Sequence, residues 1–216
     1  MKKKLVLFCL FVLPIVAYLF FASGVNTFSK LPTLTPNISE FGDWKSLNNE
    51  NIKLQGKITV LCFGGYDVLK NRGDYFNLNA KIYQRYHKFT DLQFVVLSPL
   101  GTEKDVTTFK NQLSESTDMS QWKFVFATPE EITSFYNQLD LKKDKLSADF
   151  GTHNAYLVDK NRNLRGRKIN NKKEYKEGYS MFYISELHNE MLDDFKIILY
   201  EYKAALKKNN NATLQL

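Results

Sequence analysis

The chain has 216 residues, 44% hydrophobic and 25% charged, with only 10 Gly and 5 Pro; this suits one packed domain plus a short appendage and excludes general disorder. The formal charge of +7 collects at Lys2-Lys3-Lys4 and in one loop, Asn161-Arg162-Asn163-Leu164-Arg165-Gly166-Arg167-Lys168, continuing to Lys172, Lys173 and Lys176. No nucleic-acid motif accompanies it, so no nucleic-acid partner is expected and a solvated basic loop, suited to anionic lipid headgroups, is the better account.

Residues 1–24 read as a membrane anchor. Leu5 to Ala22 carries no charge, sits behind three lysines and approaches the ~20 apolar residues of a spanning helix, with Pro14 a tolerated kink. The lysines hold the start in the cytoplasm and place the rest outside, single-pass, at the cytoplasmic (inner) membrane, which makes the globular part a periplasmic-type domain. A cleaved signal is the competing reading, since Ala22-Ser23-Gly24 supplies small residues. The apolar run exceeds the usual ~7–15-residue core of such signals, which favours a retained signal anchor. Residues 25–40, with Pro32 and Pro36, read as a linker, residues 41–208 as the folded domain, and 209–216 as a polar tail.

Within the domain, residues 43–54 read as a short hairpin with a polar turn. Ile58 to Phe63 is a continuous apolar run, as in a strand covered on both faces. Phe76, Leu78, Ile82, Tyr83 and Tyr86 fall at helical spacing, predicting a helix over 74–88 opened by Asp74. Leu92–Pro99 predicts a second buried strand, and a helix from Thr102 to Leu113 buries Val106, Phe109 and Leu113. Trp122 to Phe126 predicts a strand, and Pro129-Glu130-Glu131 begins a helix that buries Ile132, Phe135, Tyr136 and Leu139. Ala155 to Asp159 is a further strand, turning into a hairpin with Leu164–Arg167. A long helix from about Ser180 to Lys207 presents Ile184, Leu187, Met191, Phe195, Ile198 and Tyr202 on one stripe and stops at Asn209-Asn210-Asn211. The order predicts an α/β domain with a mixed sheet, parallel crossovers first and an antiparallel hairpin at one edge.

Gly56-Lys57-Ile58-Thr59-Val60-Leu61-Cys62-Phe63-Gly64 and Asp149-Phe150-Gly151-Thr152-His153-Asn154-Ala155-Tyr156-Leu157-Val158-Asp159, in this order behind a membrane anchor, resemble the thioredoxin-like superfamily, most closely its Sco/SenC branch of membrane-anchored copper and thiol proteins. The resemblance covers about residues 40–205. It implies a thioredoxin-like mixed sheet with flanking helices, preceded by a transmembrane helix. It also implies two cysteines with three residues between them, just after the Phe-Gly strand, which join the His in binding copper or exchanging disulfides. Here Val68 and Arg72 stand at those positions, and neither can ligate copper or form a disulfide.

The chemistry left to the residues is narrow. Cys9 lies in the apolar N-terminus and Cys62 in a buried strand, so they cannot pair and no internal disulfide is expected. Cys62 reads as a small hydrophobe filling a strand, against the alternative of a peroxidatic or metal-binding thiol; its apolar neighbours would raise its pKa. His153 is the best surviving site residue. With Asp67, and with Tyr66 and Asp149 near the same rim, it forms a candidate divalent-metal site; the competing account is a hydrogen bond at a loop–strand junction. His87 and His188 lie on predicted helices without ligand partners. No catalytic residue and no resident cofactor are expected, copper at His153 being the alternative, and the chain is not expected to be an enzyme. The expected function is a redox-inactive, membrane-tethered binding or assembly module, its partner implied by the resemblance to be a respiratory oxidase or assembly factor. The alternative is weak copper or divalent-metal handling through His153.

Overall fold

The computed structural model describes residues 2–23, 30–169 and 174–213, with the side chains of 2, 4–7, 9, 19–23 and 204–213 outside the description. In chain order the elements are Lys2–Ser23 (α1), Thr33–Thr35 (β1), Lys45–Ser46 (β2) and Ile58–Gly64 (β3), then Arg72–Leu78 (α2), which runs through a π-helical turn, Asn79–Tyr83, into Gln84–Tyr86 (α3). Leu92–Pro99 (β4), Glu103–Ser114 (α4), Trp122–Ala127 (β5) and Pro129–Gln138 (α5) follow. Then come Gly151–Val158 (β6), Leu164–Arg165 (β7), Arg167–Lys168 (β8), Tyr175–Lys176 (β9) and Tyr179–Ser180 (β10). The chain closes with Ile184–Glu186 (α6), a second π turn, Leu187–Met191, and Leu192–Thr213 (α7).

β3 and β4 are buried at every position, which is why they read as unbroken apolar runs instead of alternating ones. The main sheet has the order β1-β7-β6-β3-β4-β5-β2, with β10 added to β6. β3, β4 and β5 are mutually parallel, joined by helical crossovers, while β6 runs antiparallel to β3 and β7 folds back on β6. Alternate strand residues feed two cores. Val60 and Cys62 point to the side covered by α2, α4 and α7 (Tyr75, Val106, Phe109, Phe195, Ile198). Leu61 and Phe63 point to the side covered by α5 (Ile132, Phe135, Tyr136). α5 starts as the sequence predicts, with Pro129 in its first turn and a reciprocal cap between Thr128 and Glu131.

Four expectations are corrected. The hairpin at 43–54 does not form: β2 pairs instead with β5 at the sheet edge, and the Ser46 hydroxyl donates to Glu50 O at 2.7 Å to close the turn. The helix expected at 74–88 begins at Arg72, so Asp74 falls inside its first turn and does not cap it. The last helix starts at Ile184, not Ser180, because Tyr179 and Ser180 are drawn into the sheet by β6, and it continues to Thr213 past the expected Asn209 stop. The second half of the expected linker is packed: Leu31 and Ile38 are buried and β1 pairs with β7.

α1 takes a helical course over the expected anchor, with Phe8, Leu10, Phe11, Leu13, Ile15, Val16 and Tyr18 exposed around it. Among the described residues no helix is long and apolar enough to cross a membrane. Residues 24–29 of the linker, Lys172 and Lys173 of the basic loop, and the end of the tail lie outside the described residues.

Candidate functional site

The site forms where β3 runs out. Gly65 has φ +61°, and a Cβ there would lie 2.6 Å from Asp149 O and 2.7 Å from Gly151 N. The turn off the strand therefore needs a residue without a side chain. Gly65→Ala should cost roughly 2–3 kcal/mol in urea unfolding, from left-handed strain plus a backbone clash. A loss below about 1 kcal/mol would show that the turn relaxes freely.

Opposite this turn, β6 carries a bulge. Cys62 pairs with Ala155 and Gly64 with Gly151, so Phe63 alone faces Thr152, His153 and Asn154. The Thr152 hydroxyl holds the bulge by donating to Asn154 O at 3.1 Å and accepting from Asn154 N at 3.4 Å. Bulges re-aim side chains, and this one turns His153 outward until its side chain is 60% exposed. Its Nδ1 lies 2.6 Å from Asp74 Oδ2, and the Asp74 side chain is only 7% exposed. The pairing leaves Nε2 unengaged by that carboxylate. A histidine oriented by a carboxylate on one nitrogen is the arrangement that presents the other to a ligand.

Asp74 is the residue that sequence reasoning missed: an acid at a helix start looks like a cap, and only the true start at Arg72 reveals otherwise. The carboxylates expected near His153 have other partners. Asp67 sits 3.5 Å from Lys70 Nζ. Asp149 accepts from the Ser147 hydroxyl, its carbonyl accepts from Tyr66 N at 2.9 Å, and Tyr66 packs edge-on against Phe150. His87 stacks on Tyr83, and His188 is exposed on the second π turn.

Val68, at the first position where the resemblance implies a thiol, is fully buried. Arg72, at the second, is exposed and donates from Nη1 to Leu69 O at 2.9 Å. Cys62 is also fully buried, its Sγ 3.8 Å from Met181 Sδ, and burial pushes its thiol far up, with the Asp74 charge adding to the rise. Tyr75 beside it is raised for the same first reason. Among the described residues no three His, Cys, Asp or Glu side chains converge on a point. Copper(I) selects thiolate and thioether donors, so these residues do not fit the group the resemblance implies.

On the other face of β6, Asp144 is held above the ordinary carboxylate range, chiefly by burial, while hydrogen bonds from Asn154 and Tyr156 oppose the rise. Its folded pKa being raised, it favours the folded state below its unfolded pKa and loses that contribution as pH climbs through the folded value. Asp144→Asn should therefore raise the thermal midpoint at neutral pH, with the gain vanishing in acid. An equal shift at both pH values would remove burial of the charge as its cause.

No family model matches the chain, and no curated protein matches it. Solved structures do. A SCO1/SenC family lipoprotein from Bacillus anthracis str. Ames superposes with a TM-score of 0.57 at 19% identity, over 79% of this chain and 99% of that one. A candidate protein disulfide isomerase from Bacteroides thetaiotaomicron gives 0.53 at 10% identity, over 80% and 95%. BsSco, a member of the Sco family of cytochrome c oxidase assembly proteins, gives 0.51 at 15%, over 77% and 94%. At these identities the likeness concerns the fold. The chain has a mixed α/β, thioredoxin-like fold of the Sco kind.

Proposed function

We propose that the chain is a membrane-tethered binding or assembly module, facing away from the cytoplasm, that works by contact and not by thiol exchange. The observation that carries this is the strand-end loop: Val68 is sealed in the core and Arg72 bonds back to Leu69, while Cys62 is buried against Met181. Disulfide exchange needs an accessible thiolate and a second, resolving thiol, and this rim supplies neither. The tether is supported by the apolar side chains exposed around α1 and by Lys2, Lys3 and Lys4 in its first turn.

The contact surface lies beside His153. Met181 N donates to His153 O at 2.8 Å, and the three residues that follow, Phe182, Tyr183 and Ile184, are 63%, 60% and 47% exposed. A run of large exposed apolar side chains at the rim of a polar site marks an interaction surface. By analogy with BsSco, a member of a family of cytochrome c oxidase assembly proteins, the partner is a respiratory oxidase subunit or assembly factor.

A second reading, copper or divalent-metal handling at His153, is favoured by the outward Nε2 that Asp74 leaves available. One experiment separates the two. The full chain in mild detergent is offered Cu(I) and Cu(II), then mixed with a purified oxidase complex. Association kept in His153→Ala but lost in Phe182→Asp/Tyr183→Asp supports the contact module. One equivalent of copper held at micromolar or better affinity, and lost in His153→Ala, overturns it in favour of metal handling.

A further inference from the structure

At the opposite end of the sheet from His153, where β3 begins, the surface holds a groove of about 410 Å³. Its walls are apolar and aromatic, with Ile58 at the base and Phe89, Leu199 and Tyr200 along the sides. Lys160, Lys196 and Lys203 line it against a single acid, Asp91. Lys160 sits 2.6 Å from Asp91 Oδ2 and 5.3 Å over the Tyr202 ring, and Lys196 makes an exposed pair with Asp193. The exposed Lys196 pair is weak, so that ammonium exchanges partners readily, while Lys160 is more enclosed, its side chain 18% exposed.

The tether enters the domain next to this groove. Leu31 N donates to Glu201 Oε1 at 2.9 Å, and Arg165 donates from Nε to Leu31 O at 2.9 Å while its Nη2 reaches Glu201. Glu201 lies between Tyr200 and Tyr202 on α7. From Ser23, where α1 ends, to Lys30 the chain can span at most about 25 Å. Once α1 is in a bilayer, this face cannot stand far from it. β3, seven residues long and thus about 20 Å from end to end, places the His153 rim on the far side.

We propose that the groove is the membrane-seated face of the domain, its lysines set against the phosphates of anionic phospholipids and its aromatic walls at headgroup depth. Tyrosines and lysines are the side chains that interfaces of this kind recruit, one for its amphipathic ring and the other for the negative surface potential. Seated this way, the domain presents His153 and Phe182–Ile184 away from the bilayer, toward a partner. The inference rests on the tether reading given above.

The test uses the full chain with vesicles of phosphatidylcholine alone or of equal parts phosphatidylcholine and phosphatidylglycerol. Lysine acylation is read residue by residue by mass spectrometry. Acylation of Lys196 and Lys203 should slow several-fold on the anionic vesicles only, and recover in high salt as screening shortens the field. In Lys196→Glu/Lys203→Glu, protection of Lys160 on anionic vesicles should disappear as well. Equal labelling on both vesicle types overturns the proposal, as does equal protection by free glycerol phosphate without vesicles, which would make this a small-anion pocket. A carbonate wash reports separately on the tether: a chain that washes off while its lysines remain protected on anionic vesicles keeps the lipid face and loses the anchor.

Discussion

Arg165→Met is expected to cost the domain about 3–5 kcal/mol in urea unfolding, the range for breaking a buried ion pair from one side. Arg165 is 6% exposed and Asp159 1%, with Nη1 to Oδ2 at 2.9 Å. The same guanidinium donates to Leu31 O and to Glu201, so one side chain joins β7, the turn after β6, α7 and the first packed residue of the domain. Asp159 keeps bonds from Asn161 N, Asn163 N and the Asn163 side chain, which places the loss toward the lower end of the range. Arg165→Lys should recover only part of it, because an ammonium cannot reproduce the planar fork. The double variant Asp159→Asn/Arg165→Met should be less destabilised than Arg165→Met alone, since it no longer strands a buried charge. A single-variant loss below about 1 kcal/mol, the range of surface pairs, would remove the network as the element holding Leu31 in place.

Val68→Cys/Arg72→Cys is the second large expected effect: a gain of tight Cu(I) binding at one equivalent where the natural chain retains none. Cysteine is close to valine in size and is itself a residue of buried positions, so the core around residue 68 should accept it. Arg72 is exposed and opens α2, in the same turn as Asp74, which touches His153. Two thiolates and an imidazole make the soft donor set that Cu(I) selects. Binding should be read by competition with a colorimetric Cu(I) chelator. Addition of His153→Ala should weaken it, and Asp74→Asn should weaken it less, since Asp74 acts only by orienting the ring; a carboxylate that holds a ligating imidazole typically contributes about 10–100-fold. Copper uptake that ignores His153, or no uptake by a folded double variant, would show that this rim no longer has the geometry of a Sco-like site.

Strands with both faces covered were fully legible: β3 and β4 have no polar alternation to misread, and Pro129 behind Thr128 announces α5 without ambiguity. Short edge elements were not. Two-residue strands such as β2 and β10 carry no periodicity, and their partners, β5 and β6, lie far away in sequence. Leu31 and Ile38 hid among prolines and hydroxyls, because single buried residues in an irregular segment leave no pattern. At the site, His153 was legible and its partner was not. Local chemistry favours Asp67, which follows directly off the strand, yet its ion pair is with Lys70. Asp74 reaches His153 only because α2 starts two residues earlier than its composition suggests and β6 bulges at Thr152–Asn154.

The two π turns bear on that same geometry. Asn79–Tyr83 and Leu187–Met191 pack against each other, and each interrupts a helix that begins near the His153 rim and continues toward the lysine groove. A π turn holds one residue more than the α turn it replaces and takes up that residue without turning the rest of the helix; wound as ordinary α-helix at the same length, one half would rotate against the other by roughly 100°. In the first helix that rotation would separate the azimuth of Tyr75 from that of Ile82 and Tyr83, which now share a core. The angular phase of the His153 rim is thus kept by helix winding several residues away, where a wider turn takes up one surplus residue.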